Sequence, residues 1–406
     1  MLESNHPYNT VFDPEYWGQH GAPHDVLSTL RTEDPIYWFE NNLYDPAWLL
    51  TRYKDVEQVG KNPKFFLSGP RTVFHNPKGF KSPLIGLPQL DAPQHTKHRR
   101  AMQGWFTPKA IRDLEERMSE IAKETVDEMA MTNTCEFCSI VGVRLPLKMI
   151  CEFLGIPEEQ EAVVWQLTQD VFAVSDPDMA RAASAQEGVR NAMAFCADIG
   201  KSRQELPTND FASTIANAEV DGERMTIQEI ASHLMIMISA GHDTTASAIN
   251  GGMLALIRNS EQLAKLKDHP ELTESAVNEM LRYVTPTTNF VRTAAEDTEL
   301  GGVKIAKGDD ICIHFCAANR DEAEFADAQA FRIDRKPNKH LAFGIGPHAC
   351  IGQLLARIEM KALFEELIPR IDSIELDGDP EHIRAFWVTG LKKLPIKYSI
   401  AGSKED

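Results

Sequence analysis

The sequence predicts a mostly α-helical protein with a smaller β region. Apolar residues recur at helical spacing over most of 107–259. After Pro286 the pattern changes to short strand-like pieces, including Thr298–Ile305 and Asp310–His314. We therefore expect one domain over 1–406, helix-rich at about 91–285 and 340–368 and β-rich at about 34–52, 286–340 and 371–400.

The N-terminal part predicts two short strands, Ile36–Glu40 and Ala47–Thr51, and then a helix near Tyr53–Lys61. A segment interrupted by Pro and Gly follows, from Asn62 to Leu90. It is too long for an ordinary connection, and such segments are often functional. We interpret it as a lid or as a wall of a binding pocket.

Composition excludes several classes of protein. The 406 residues carry a net charge of -18, which argues against nucleic-acid binding and against coating an anionic membrane. The apolar run Ile230–Ile257 contains too many polar side chains for an isolated membrane span, and no signal peptide is recognisable. The seven cysteines form no disulfide framework. We expect a soluble, cytoplasmic monomer.

Cys135 and Cys138 form a C-x-x-C pair. Such a pair could be a redox site or half of a zinc site. No second pair follows at zinc spacing, and no βαβ pattern surrounds this one. We therefore expect two packed thiols.

Another cysteine, Cys350, stands in the run Phe343–Gly352, just before an amphipathic helical stretch. Gly344 and Gly346 permit backbone turns that a Cβ would obstruct, and Gly352 leaves room for a flat group near the backbone. A thiol at the start of a helix meets unpaired N–H groups and the positive end of the helix dipole, so we expect a stabilised thiolate. The spacing F-G-x-G-x-H-x-C-x-G resembles a haem-binding loop, a resemblance that implies a cysteine bound to the iron. The alternative is a buried structural cysteine.

Two donors, His95 and Arg99, lie four residues apart in the segment Asp91–Arg100. On a helix they share one face and could together hold a carboxylate through charge-assisted hydrogen bonds. From spacing alone, a solvated basic face is the alternative.

A long central helix is predicted to begin with a capping box formed by Thr226 and Glu229. Near its middle, Asp243 and Thr244 lie among apolar residues, where an acid and a hydroxyl need partners. A hydroxyl at this point can bond the carbonyl four residues earlier and loosen the turn, so that water or dioxygen could enter. A satisfied polar pair in a core is the alternative.

Glu279 and Arg282 suit an ion pair along one helix, and Arg335 supplies a second arginine further on. By spacing alone such a pair is common on solvated helices.

These motifs together resemble the haem-thiolate monooxygenases, the cytochromes P450. The resemblance runs from about Asp34 to the C-terminus and is densest at 91–107, 239–246, 279–282 and 343–360. It implies the cytochrome P450 fold, with haem b between the long central helix and the cysteine-loop helix and O2 as co-substrate. Within the family, Leu167–Phe172 and the form A-G-H-D-T-T-A-S resemble the soluble bacterial monoterpene hydroxylases of the α-terpineol type.

The resemblance also implies roles for individual residues. Cys350 would bind the haem iron, in a loop shaped by Phe343, Gly344 and Gly352. The propionates would be bound by His95, Arg99, Arg292 and His348; a zinc site of His340, His348 and Cys350 matches no common spacing. The residues expected to take part in oxygen activation are Gly241, Asp243 and Thr244. A structural ion network is expected to consist of Glu279, Arg282 and Arg335. The expected pocket residues are Leu84, Ile85, Ile236, Ser239, Ala240, Thr288, Phe290, Trp387 and Val388.

The expected reaction is hydroxylation of a small hydrophobic substrate, either a terpenoid or a small alicyclic or aromatic molecule, with a fatty acid or a sterol as alternatives. The chain has no flavin- or nicotinamide-binding stretch, so the resemblance implies electrons from a [2Fe–2S] ferredoxin and its reductase. A basic patch of Arg99, Arg100, Arg357 and Lys361 would suit an acidic partner, unless these are scattered solubilising charges.

A haem sensor, an electron carrier and a peroxide-driven enzyme are rival functions, which the Asp243–Thr244 pair disfavours.

Overall fold

The computed structural model describes residues 7–41, 43–74, 84–172, 176, 178 and 184–401. The helices are α1 Pro14–His20, α2 His24–Glu33, α3 Tyr53–Lys61, α4 Gln94–Met102, α5 Pro108–Met129, α6 Arg144–Leu154, α7 Glu161–Phe172, α8 Ala185–Glu205, α9 Phe211–Ala216, α10 Ile227–Arg258, α11 Ser260–Asp268, α12 Thr273–Val284, α13 Phe315–Ala318 and α14 Gln353–Leu367. The strands are β1 Ile36–Phe39, β2 Ala47–Leu50, β3 Phe66–Leu67, β4 Thr134–Glu136, β5 Glu219–Val220, β6 Glu223–Arg224, β7 Asn289–Ala294, β8 Thr298–Leu300, β9 Val303–Ile305, β10 Asp310–His314, β11 Ile371–Leu376, β12 Glu381–His382, β13 Leu391–Lys393 and β14 Pro395–Ile400.

The predicted fold class is confirmed: helices dominate the described chain, and most strands lie within 36–67 and 289–400, with the short strands β4, β5 and β6 between them. The helix α3 and the strand β10 have the predicted bounds. The prediction of one strand over Thr298–Ile305 was wrong, because Gly301 and Gly302 adopt positive φ angles of 54° and 88° and turn the chain into the hairpin β8–β9.

The central helix α10 has 32 residues, about 48 Å at the usual helical rise. Its capping box is confirmed, since Thr226 Oγ1 accepts the Glu229 N–H at 3.2 Å and the Glu229 carboxylate accepts the Thr226 N–H at 2.8 Å. It packs against α6, α8, α12 and α14, and two apolar clusters are built around it. None of the helices in the described ranges has the length and apolarity that a membrane span requires.

The larger sheet has the strand order β1-β2-β10-β7-β3. β7 pairs antiparallel with β10, with Phe290 opposite Ile313 and Arg292 opposite Ile311. Phe290 and Arg292 are two residues apart, so their side chains leave the same face of the strand. That face points towards the centre of the molecule, and both residues line its main cavity.

The C-x-x-C residues are free thiols. Cys138 is buried and Cys135 lies half-buried on β4, where burial raises the pKa of its thiol to about 11. In the part of the chain that is described, no three His, Cys, Asp or Glu side chains converge as metal ligands.

Candidate active site

The main cavity lies between α10 on one side and the cysteine loop and α14 on the other, with β7 at its edge. Its volume is about 240 Å³. Aliphatic and aromatic side chains form most of the wall, among them Ile236, Ala240, Phe290 and Leu355. The cavity therefore lies between the two helices that were expected to enclose a flat cofactor.

The loop that carries Cys350 is a tight hairpin. Gly344 and Gly346 adopt positive φ angles of 67° and 74°, and a Cβ on Gly346 would lie 2.2 Å from the carbonyl oxygen of Gly60. The Cys350 N–H donates to the Phe343 carbonyl at 2.8 Å and closes the hairpin. These contacts direct the thiol into the cavity, which Cys350 lines.

The helix start acts on the Cys350 thiol in the expected direction, but it does not decide the net shift of the thiol pKa in the protein alone. Burial raises the pKa of the thiol and is the largest effect. The backbone N–H of Gly352 and the charges of Arg99 and Arg357 lower the pKa, but by less. A metal cation at the sulfur deprotonates a coordinating thiol outright, so the thiolate depends on metal binding rather than on the helix.

Four basic side chains converge on one end of the cavity: His95, Arg99, Arg292 and His348. The rings of His95 and His348 lie 4.1 Å apart, and Ser68 Oγ lies 3.1 Å from His348 Nε2. Burial lowers the pKa of Arg292 to about 10, and burial together with the neighbouring cations lowers that of His348 to about 3. His95 Nε2 is buried without a hydrogen-bond partner in the described chain.

The charge of Asp91 acts on His95 and Arg292, but it does not offset the effect of burial on either side chain. Carboxylate groups would satisfy the unpartnered His95 nitrogen and the desolvated arginines through charge-assisted hydrogen bonds. The thiol at Cys350 lies across the same cavity. At Gly352, a Cβ would stand 4.0 Å from the Cys350 sulfur, where it would crowd a flat group bound to that sulfur. The donor set therefore fits a haem whose iron meets the sulfur and whose propionates meet the basic cluster.

Glu279 forms a buried network beneath the cysteine loop. Its carboxylate accepts two hydrogen bonds from Arg282 at 2.8 Å each and two from Arg335 at 3.1 Å each. Both arginines also donate to backbone carbonyls in the segment 319–330. The pair is not a solvated one, because the side chains of Glu279 and Arg282 are completely buried.

Residues 146–400 match the family model described as cytochrome P450. The chain belongs to the cytochrome P450 family. It is 36% identical to cytochrome P450-terp of a Pseudomonas species, over 98% of each chain, and 30% identical to linalool 8-monooxygenase of Pseudomonas putida, over 95% of this chain and 97% of the relative. The crystal structure of CYP108D1 from Novosphingobium aromaticivorans superposes with a TM-score of 0.89 at 35% identity, covering 99% of this chain and 100% of the other. The protein is thus a cytochrome P450 monooxygenase, a family that uses haem and dioxygen.

In this P450 the acid and the alcohol of α10 face different spaces. Gly241 and Thr244 line the main cavity, and the Thr244 hydroxyl donates to the Ala240 carbonyl at 2.8 Å. Asp243 instead lines a second cavity of about 210 Å³, bounded by α7, α10 and the segment 383–392. Its Oδ1 accepts from Gln169 Nε2 at 3.3 Å and lies 3.2 Å from His242 Nε2.

The pKa of His242 reflects this contact. Burial is the largest single effect and lowers the pKa of the imidazole, but the nearby charge of Asp243 and the Ile238 carbonyl, 3.0 Å from His242 Nδ1, together outweigh it, so that the net shift is upward. The other oxygen of the acid, Asp243 Oδ2, is buried without a partner in the described residues. The carboxylate is therefore held through one of its oxygens and keeps the other free for a proton or a water molecule.

Several expected pocket residues do not line the main cavity. The Thr288 hydroxyl turns away to the carbonyl of Phe386, and the Ser239 hydroxyl returns to the Met235 carbonyl at 2.9 Å. Trp387 and Val388 line the second cavity instead. Leu84 and Ile85 are also absent from the wall, where Leu87 and Pro88 stand in their place; residues 75–83 of the expected lid lie outside the described residues.

The P450 cavity is also lined by residues that the sequence motifs did not indicate, notably His233, Met237 and Phe106. A helical signal existed for two of them. His233, Met237, Ala240 and Thr244 follow one another at steps of four, three and four, which is one face of a helix. Starting from Thr244, this face could have been extended backwards to His233.

The predicted basic patch does not form as a group of four. Arg99 lines the cavity, and Arg357 lies 4.4 Å from the ring centroid of Phe343 and donates to Asn278 at 3.0 Å. Arg100 is exposed, and Lys361 pairs with Glu365 at 3.6 Å. Two of the four charges are thus engaged inside the P450 rather than offered to a partner.

Proposed function

We propose that this P450 hydroxylates a small, hydrophobic terpenoid with electrons from a [2Fe–2S] ferredoxin. The observation that carries the proposal is the apolar cavity between Thr244 and Cys350. One cavity must hold both the macrocycle and the substrate, which favours a compact substrate over a sterol. The relatives named cytochrome P450-terp and linalool 8-monooxygenase support this choice, although others are named for steroids and methyl-branched lipids.

The cofactor proposed here is haem b. Covalent attachment of the c type needs C-x-x-C-H, and the C-x-x-C of this chain is followed by Ser139. When bound, the haem supplies the redox chemistry that activates dioxygen. Cys350 Sγ would ligate its iron, and the cluster of His95, Arg99, Arg292 and His348 would bind its propionates and fix its orientation.

The remaining roles belong to α10. Thr244 Oγ would hold a proton at the cavity wall, since the hydroxyl is already positioned by the Ala240 carbonyl. Asp243 would exchange protons with water on the other side of the helix. Gly241 leaves the wall without a side chain at this turn, while Ile236, Ala240 and Phe290 exclude water and hold the substrate.

A ferredoxin would dock on the side of Cys350. Arg100 and Lys361 are the outward-facing charges of the expected patch, so the contact would depend on few charges and moderately on salt. The single domain over 1–406, the monomeric state and the cytoplasmic location stay predictions.

The test is a spectral binding screen of the purified holoenzyme with monoterpenes, small aromatics, fatty acids and sterols. Displacement of water from the iron by a substrate moves the Soret band to shorter wavelength. We expect dissociation constants in the micromolar range for monoterpenes and weak or no shifts for sterols. A sterol or a fatty acid bound more tightly than every monoterpene would contradict the proposed substrate class, and a reduced protein without the red-shifted carbon monoxide band would contradict thiolate ligation.

A further inference from the structure

Two buried histidines join α4 to α10 beside the haem-binding cluster. His98 Nδ1 lies 2.9 Å from His233 Nε2, and the ring centroids are 5.0 Å apart. His233 also lines the main cavity, one turn of α10 before Ile236 and Met237. Within the described part of the chain, no hydrogen bond engages its second nitrogen, Nδ1.

Both rings are neutral near pH 7. Burial lowers the pKa of His233 to about 3, and His98 contributes to the shift. Burial also lowers the pKa of His98, against the opposing charges of Glu229 and Asp221; Asp221 is paired with Lys97 at 2.7 Å. A neutral imidazole has one donor and one acceptor nitrogen. Nε2 of His233 uses one of these two functions in its hydrogen bond with His98. Nδ1 of His233 therefore keeps the other function, either as a donor or as an acceptor.

Two hydroxyls of α10 that also line the cavity are already committed. The hydroxyls of Thr244 and Thr245 donate to the carbonyls four residues earlier, at 2.8 and 3.3 Å. The basic cluster is suited to carboxylates. On the wall formed by α10 and Leu87, the His233 nitrogen is therefore a polar atom among apolar neighbours, and an unsatisfied polar group there is costly.

We propose that His233 determines substrate specificity by forming a hydrogen bond from Nδ1 to a hydroxyl group of the substrate. A hydroxyl both donates and accepts, so it satisfies His233 in either tautomer, whereas a hydrocarbon satisfies neither. The substrate class is then a compact apolar molecule with one hydroxyl group. His98 is a positioning residue that holds the ring of His233 against the cavity. The inference rests on the proposed function and narrows its substrate.

The test compares p-menth-1-ene with α-terpineol, which share a carbon skeleton and differ by the hydroxyl group. The dissociation constant of each probe is measured on the purified holoenzyme from the Soret shift. The ratio of the two constants is then compared between variants, so that a change that affects both probes equally cancels. Replacing His233 by Leu should reduce the preference for the alcohol about tenfold, the usual loss when one buried hydrogen bond is removed. Ser232→Ala is the matched control, because this neighbouring hydroxyl donates to the Gln228 carbonyl at 2.8 Å and should leave the ratio unchanged.

Two further variants keep the test decisive. His233→Met offers an apolar side chain of similar length should the Leu variant lack haem, and it should lose the preference in the same way. His233→Gln keeps a donor and an acceptor and should retain part of the preference. If the ratio of the two dissociation constants is unchanged in the Leu or Met variant, the assignment of His233 is overturned. This includes the case in which both probes lose affinity equally. If wild-type protein with a normal carbon monoxide band binds neither probe, the terpenoid proposal fails as well.

Discussion

Removing the carboxylate of Glu279 should cost this P450 a large part of its stability. Glu279 Oε1 and Oε2 accept hydrogen bonds from two arginines, from the backbone N–H of Arg332 at 2.8 Å and from Asn338 Nδ2 at 3.1 Å. In Glu279→Ala the guanidinium groups of Arg282 and Arg335 stay buried with no counter-charge. Breaking one partner of a buried ion pair costs about 3–5 kcal/mol, against a total stability of roughly 5–15 kcal/mol.

The loss should reach the haem site because the network anchors the chain before the cysteine loop. Arg335 donates to the Ala326 carbonyl and Arg282 to the Asn319 carbonyl, and Asn319 in turn accepts the Leu341 N–H at 2.6 Å. When these donors lose their charge partner, the segment leading to Cys350 is less firmly held. We expect the ratio of haem to protein to fall several-fold.

The assay is urea unfolding of the apoprotein together with haem quantification by the pyridine haemochromogen. Glu274→Ala is the matched control on the same helix, since this exposed glutamate should change stability by less than about 0.5 kcal/mol. Glu279→Gln, which keeps the shape but not the charge, should lie between the two. A Glu279→Ala protein with normal haem content and a loss below about 1 kcal/mol would refute the reasoning.

Three further predictions concern the alcohol, a buried histidine and the hairpin. Thr244→Ala should lower the yield of product per electron pair and release peroxide instead; unchanged coupling would remove Thr244 from proton delivery. Burial lowers the pKa of His314 to about 3, so the folded protein binds fewer protons than the unfolded chain, and stability is complete above pH 6.5 and falls below it. Between pH 7 and 5 this residue should cost about 2 kcal/mol, measured by urea unfolding, and His314→Asn should remove that part of the slope while keeping a cap for the Ala317 N–H. Gly346→Ala should destabilise the apoprotein by about 2 kcal/mol or more, because its φ is 74° and the Cβ meets a carbonyl oxygen, whereas Gly302→Ala meets no atom within 4 Å; equal effects of the two would contradict a steric role.

Elements with local signals were predictable from the sequence. The capping box of α10 needs only Thr226 and Glu229, and the two residues satisfy each other. The strand β10 and the helix α3 are marked by their own apolar pattern. The hairpin β8–β9 was less predictable, because the apolar residues on either side of Gly301 and Gly302 favour one strand-like piece even though two adjacent glycines can mark a turn.

The pocket was less predictable because its wall is set by partners far away in the sequence. Thr288 precedes β7 and could have faced the cavity, but its hydroxyl is satisfied by the carbonyl of Phe386, 98 residues later. Trp387 and Val388 are likewise placed on the second cavity by the packing of their segment against α7 and α10. A sequence motif indicates that a segment approaches the site, but the side-chain direction depends on which neighbour completes its hydrogen bonds.

The separation of Asp243 and Thr244 follows from helix geometry and limits how protons reach the cavity. Successive residues of an α-helix are rotated by about 100°, so Asp243 and Thr244 leave α10 in different directions. Thr244 faces the main cavity, and Asp243 faces the second one together with Ser247 and Asn250, at steps of four and seven along α10. A proton that passes from the acid to the alcohol must therefore cross the helix at this turn, where the Thr244 and Thr245 hydroxyls occupy the Ala240 and Gly241 carbonyls. Under the proposed roles, Asp243 would exchange protons with water in the second cavity while the substrate occupies the main one, so that the main cavity could stay dry while protons still arrive.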